Sequence, residues 1–179
     1  MARLFSNRER PFDLGILPTE LLPRDAAAAI VDARQPADAA SAGPDSVLAA
    51  FPEYRELFAK YLDGEVARSR APVPHDLLKR AQNLKASAYF LDVTIAGACR
   101  IAPEDWSAKK CPAHTHAFVF LIEFGRQTGK TEAGDDWIRG TNAARTDLRC
   151  AEVAVVMAGY IRALGWSARG HVAGDTLVS

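Results

Sequence analysis

The sequence predicts an α/β fold in which a small mixed sheet is sandwiched by helices and preceded by an extended N-terminal arm. Three observations carry this. Residues 93–101 and 117–124 are short apolar runs bounded by polar or proline-containing stretches, as buried strands are. Around them, residues 77–91 and a longer run ending at Leu164 and Gly165 place apolar side chains at helical spacing. Residues 1 to 25 are interrupted by Pro11, Gly15, Pro18 and Pro23, a density that excludes a long helix. The chain divides accordingly into an arm and linker, residues 1–45, and an α/β domain, residues 46–179.

Bulk properties narrow the function classes. A chain of 179 residues, 49% hydrophobic and 25% charged, can bury one sizeable core. Lys plus Arg and Asp plus Glu both number 22, so no global field draws nucleic acid or anionic lipid. No apolar run approaches the roughly 20 residues of a membrane span. The basic residues near Met1 have no apolar stretch behind them, which argues against a secretory leader. Three dispersed cysteines, Cys99, Cys111 and Cys150, suit reduced thiols in the cytoplasm.

Taken in order, residues 24–45 are rich in Ala, Asp and Pro, with a short helix expected at 25–33 and linker after it. Asp45 and Ser46 can cap a helix over 51–62 that closes at Gly64. In it Tyr54, Leu57, Phe58, Tyr61 and Leu62 form one apolar stripe, expected to pack. Pro72 and Pro74 break the chain before a helix capped near His75 and Asp76, with Leu77, Leu78, Ala81, Leu84, Ala88 and Leu91 on its inner face. The strand at 93–101 is nearly without bulk at Ala96, Gly97 and Ala98, which lets a helix or a flat ligand approach closely. Residues 103–110 read as a loop and 117–124 as a central strand with helices on both sides of its sheet.

The last helix starts near Thr141 or Asn142. Between Glu152 and Arg162 it has no charge over nine residues, from Val153 to Ile161. A surface helix keeps a polar face, so this section is expected to be covered on both sides. The second cover would come from the remainder of a larger enzyme or from a partner subunit, with a homodimer as the simplest case of the latter. Gly165 suits the left-handed residue after a helix end, and residues 166–172 then read as a strand.

Several motifs invite chemistry. Residues 125–131 follow an apolar strand as a phosphate loop would, but three residues rather than four separate Gly125 from Gly129-Lys130-Thr131. Cys111, His114 and His116 supply metal-ligand types without the further ligand a zinc site needs, so no metal is assigned to them. Asp135, Asp136, Trp137 and Arg139, followed by Arg145 and Arg149, can fix a loop through ion pairs or hold an anion. Arg169 and His171 alternate on the expected last strand and share a face, where a histidine beside a cavity can serve as an acid. The spaced cysteine run that binds an iron–sulfur cluster is absent.

A resemblance adds to this reading. The strings Leu148-Arg149-Cys150-Ala151-Glu152-Val153 and Tyr160-Ile161-Arg162-Ala163-Leu164-Gly165-Trp166-Ser167-Ala168-Arg169-Gly170-His171 resemble the helix-to-strand passage of the reductive dehalogenase family. The likeness extends more loosely to the epoxyqueuosine reductases. Residues 85–92, the Asp135-Asp136-Trp137 segment, and the opening from Phe5 to Gly15 with Leu17-Pro18 are similar to family segments too.

The resemblance implies a nitroreductase-like or corrinoid-domain-like half, and a corrinoid with 4Fe–4S clusters in the full-length enzyme. It places this chain in the N-terminal region of cytoplasmic members, some of which carry there a degenerate copy of the corrinoid-binding core. No catalytic residue transfers to this chain. Ala96, Gly97, Arg169 and His171 are the candidate cofactor-facing residues. The alternatives are a stand-alone corrinoid- or flavin-binding module and a scaffold or assembly protein.

Overall fold

The computed structural model describes residues 45–106, 114–125, 133–175 and 177. Residues 1–44 of the expected arm and linker, the Cys111 thiol and residues 126–131 of the phosphate-loop-like segment lie outside them.

Helices open where the sequence places caps. The Ser46 hydroxyl accepts from the Leu48 N–H at 3.2 Å and starts a 3₁₀ turn, Val47–Ala50, that runs into α1, Phe51–Ala59. The Asp76 carboxylate accepts from the Leu78 N–H at 2.9 Å and starts α2, Leu77–Phe90. After α2 the chain turns at Asp92, which adopts a left-handed φ of 63°, a conformation aspartate tolerates better than most residues. It then enters β1, Ile95–Arg100, which pairs antiparallel with β2, His116–Leu121, Gly97 lying opposite Val119. A short α3, Asp135–Ile138, precedes the long α4, Asn142–Ala163.

The α/β class is as expected, and the sheet among the described residues is two-stranded. Its inner face carries Ala96, Phe118 and Phe120. Ala96 joins Ala88 of α2, Val93, and Val153 and Met157 of α4 in the buried core, with Leu84, Phe118 and Phe120 packed around them. Alanines at positions 88 and 96 let two helices approach one narrow face closely. Arg149 ties the layers from above, donating to the Leu91 carbonyl at 2.9 Å and pairing with Glu152 at 2.6 Å.

The uncharged section of α4 behaves differently on its two sides. Val153 and Met157 are buried in the core with the sheet and α2, and Ala154 and Ala158 are buried too, whereas Val156 and Tyr160, one turn apart, are 45% and 44% exposed. The chain thus supplies one of the two expected covers among the described residues. Lack of charge shows that a helix tolerates burial all round, but only a packing neighbour imposes it.

Two expectations are corrected. Residues 166–172 do not form a strand. Their backbone partners are not a neighbouring strand: the Gly170 N–H donates to the Leu62 carbonyl at 2.8 Å, and an isolated bridge joins Val172 to Asp175. The stripe on α1 does not pack as a unit either, since Tyr54, Leu57 and Tyr61 are exposed while Leu62 is buried. The helix ends at Ala59, so Tyr61 and Leu62 leave its face and Leu62 turns inward beneath Gly170. What α1 does contribute is a contact with α4, fastened by Arg55 and Asp147 at 3.0 Å.

Candidate functional site

The densest polar chemistry lies where the chain crosses itself between residues 61–71 and 162–175. Arg162, at the end of α4, is buried, with no carboxylate among the described residues in hydrogen-bond reach. Its guanidinium donates to the carbonyls of Tyr61 at 3.1 Å, Leu62 at 3.2 Å and Ala168 at 2.9 Å. It is a clamp between two loops.

Arg169 pairs with Asp63 at 3.3 Å and Asp175 at 2.6 Å, and only 17% of its side chain is exposed. His171 lies beside it, its Nδ1 3.4 Å from both the Arg169 guanidinium and the Asp175 carbonyl. The His114 Nε2 meets the Ser167 hydroxyl at 3.0 Å, joining the residues just before β2 to the same segment.

Burial pushes the His171 pKa below its ordinary value. The charge of Arg169 and the nearby His114 act in the same direction, and Asp175 opposes them through its carbonyl and its carboxylate. A base lowered in this way is neutral at pH 7, and the folded state resists its protonation more than the unfolded chain does. The contribution is therefore present at neutral pH and lost as pH falls through the ordinary imidazole value, about 6.5, toward the depressed one. Urea unfolding is expected to show stability falling from pH 7 to pH 5, with His171→Gln reducing that fall. An equal fall in both proteins would show that His171 is not the group responsible.

The four candidate cofactor-facing residues do not share a surface. Ala96 is buried on the inner face of β1, while Gly97 points to the outer face, where an added Cβ would meet nothing within 4 Å. Arg169 and His171 lie on the segment after α4, and among the described residues their polar partners are Asp63, Asp175 and each other. Arg169 is already held by two carboxylates, so it is not free to receive an anionic group.

The remaining motifs resolve into structure. Arg139 pairs with Asp135 and Asp136, and the Ser46 hydroxyl donates to the Trp137 carbonyl at 3.1 Å, which fixes the loop through polar contacts while the indole stays 65% exposed. Arg149 is likewise engaged, with Glu152 and with Asp92 at 3.7 Å. Among the described residues no group of three or more His, Cys, Asp or Glu is placed to hold a metal ion. His116 meets the Thr115 hydroxyl at 2.9 Å. The half-buried Cys150 thiol is pushed up by burial and by Asp147, which makes it a weak nucleophile at pH 7. Among the described residues no helix is long and apolar enough to cross a membrane.

Two features escaped sequence reasoning. Arg162 carried no signal beyond standing next to the uncharged section. The outer face of the sheet, which the described residues leave exposed, was hidden because an apolar strand reads the same whether one or both of its faces are covered.

Neither the protein-family models nor the curated proteins contain a match to this chain. Solved structures do. The catabolic reductive dehalogenase NpRdhA, N-terminally tagged, superposes with a TM-score of 0.74 at 52% sequence identity, over 82% of this chain. The same values hold for that enzyme in complex with 3-bromo-4-hydroxybenzoic acid, and for a reductive dehalogenase whose structure suggests a mechanism for B12-dependent dehalogenation. This chain belongs to the reductive dehalogenase family. It spans about a fifth of the length of those relatives, 21% in each case. The residues nominated to face the family's B12 do not converge: Ala96 is in the core, Gly97 is on the opposite sheet face, and Arg169 is paired with Asp63 and Asp175.

Proposed function

We propose that this chain is the N-terminal, non-catalytic module of a cytoplasmic, reductive-dehalogenase-like corrinoid and iron–sulfur oxidoreductase, packing on the body that carries the chemistry. The observation that carries this reading is the 52% identity to reductive dehalogenases of which the chain spans only 21%, combined with nominated cofactor residues that do not converge. The Val156 and Tyr160 stripe of α4 supports it, because the body, or a separate partner subunit, supplies the cover that the described residues do not. Cobalt and cluster chemistry belongs to that body, and the role of this chain is to be packed against.

Titration of the purified chain with hydroxocobalamin, followed by absorbance, is expected to leave the corrinoid spectrum unchanged at stoichiometric ratio. A saturable spectral shift with one equivalent would overturn the non-catalytic reading in favour of a stand-alone corrinoid-binding module. Flavin mononucleotide in a parallel titration tests the flavin version of that alternative. Light scattering on the same sample separates a homodimer from a single chain.

A further inference from the structure

Among the described residues, helices cover the β1/β2 sheet on one face only. Alternation along the two strands puts Ile95, Gly97 and Cys99 on the other face, and the register sets Leu121, Val119 and Ala117 opposite them. Ile95 is 53% exposed, Val119 55% and Leu121 60%, and Cys99 is exposed as well. No charged residue interrupts these three pairs, and Gly97 has open space where a side chain would stand. An isolated pair of strands is marginal in water, and an apolar outer face adds an unfilled contact to an already narrow core.

From this face and the family match we infer that the outer face of β1 and β2 is a second docking surface, whose occupant is the catalytic body of the reductive dehalogenase polypeptide. This rests on the reading proposed above and adds the place of contact. Two arguments select the body over a second copy of the chain. A module 52% identical to this one occurs in polypeptides of which it accounts for only 21%, so most of the protein in such a chain is available to cover it, at the high effective concentration of a tether. The half-exposed aliphatic side chains offer on the order of 200 Å². That is far below the roughly 800 Å² per partner of a stable association between separate molecules, yet sufficient as part of a contact within one polypeptide.

Cys99 reports on the face without perturbing it. The protein is purified natively from its source, pulsed with N-ethylmaleimide, and the Cys99 peptide is quantified by mass spectrometry against the same sample in guanidinium. Corrinoid content and the polypeptides present are read in parallel. The expected result is a corrinoid-containing assembly in which Cys99 reacts at least tenfold more slowly than when denatured. In a Val119→Glu variant the thiol is expected to return to within about twofold of the denatured rate.

A corrinoid-containing assembly with Cys99 as reactive as in guanidinium would overturn the docking surface and leave the proposed function standing. Absence of any corrinoid-bearing polypeptide would overturn both. A protected Cys99 in a particle of two 179-residue chains and nothing else would overturn the choice of occupant.

Discussion

Replacing Arg162 with alanine is expected to cost this protein about 3–5 kcal/mol of stability, enough to abolish a cooperative urea transition in a marginally stable domain. Its guanidinium is buried and satisfies the carbonyls of Tyr61, Leu62 and Ala168 together. Truncation strands three acceptors, one in a buried bond and two in part-buried ones, and hydrogen bonds to a charged donor are worth about 1.5–3 kcal/mol each before relaxation. Arg162→Lys is expected to recover only part of the loss, because a single ammonium cannot present the planar fork that reaches both loops. Arg55→Ala is the control: its pair with Asp147 and its bond to the Ala173 carbonyl are partly open to solvent, and its removal is expected to lower stability by no more than about 1 kcal/mol. Equal effects from the two alanine variants would show that the Arg162 clamp contributes nothing special.

Gly165→Ala is expected to be the second most damaging change, at about 3 kcal/mol. Gly165 adopts a φ of +88°, where a Cβ costs about 1 kcal/mol in backbone strain. The same Cβ would lie 2.7 Å from the Ser69 carbonyl oxygen and 2.8 Å from the Arg70 Cα. Those backbone atoms cannot retreat, since the Ala67 and Ala71 N–H groups donate to the Arg162 and Leu164 carbonyls at 3.0 Å on either side. Overpacking of this kind adds about 1–3 kcal/mol. Gly134 provides the comparison, with a φ of +80° but nothing within 4 Å of an added Cβ. Gly134→Ala should therefore show the strain alone, about 1 kcal/mol. Thermal unfolding of the two variants separates backbone conformation from crowding, and equal losses would rule out the clash.

Both predictions concern the crossing of residues 61–71 with 162–170, which was the least legible part of the chain. The beginnings of the helices were easy to read, because a cap acts within a few residues. Asp76 before the apolar spacing of 77–91 led directly to α2, and Gly165 after the uncharged run led directly to the end of α4. The strand expected at 166–172 failed for a complementary reason. Arg169 and His171 alternate as strand residues do, but a strand exists only where a neighbour offers a ladder, and here the Gly170 N–H finds Leu62 instead. Arg162 could not be recognised as buried, since its acceptors Tyr61 and Leu62 come from about a hundred residues earlier.

The candidate site divides in the same way. Residue types were read correctly as Arg, His and small residues in suggestive positions, while their convergence was a question of placement. Ala96 and Gly97 are neighbours in sequence and occupy opposite sides of a sheet, and Arg169 is spoken for by Asp63 and Asp175. The family, by contrast, was visible in the strings around Arg149 and from Tyr160 to His171, and the solved reductive dehalogenases bear it out at 52% identity.

By itself, then, the sequence determined the three longer helices α1, α2 and α4, where two of them begin or end, that strands would be apolar, and which family the chain belongs to. Those properties depend on local propensity and on residue identity, which short stretches carry alone. Tertiary structure decided which side of α4 and of the sheet is covered, where Arg162 finds its partners, and whether nominated side chains meet. Each of these is a contact between residues far apart in the chain, and a contact has no existence until the fold brings its two halves together.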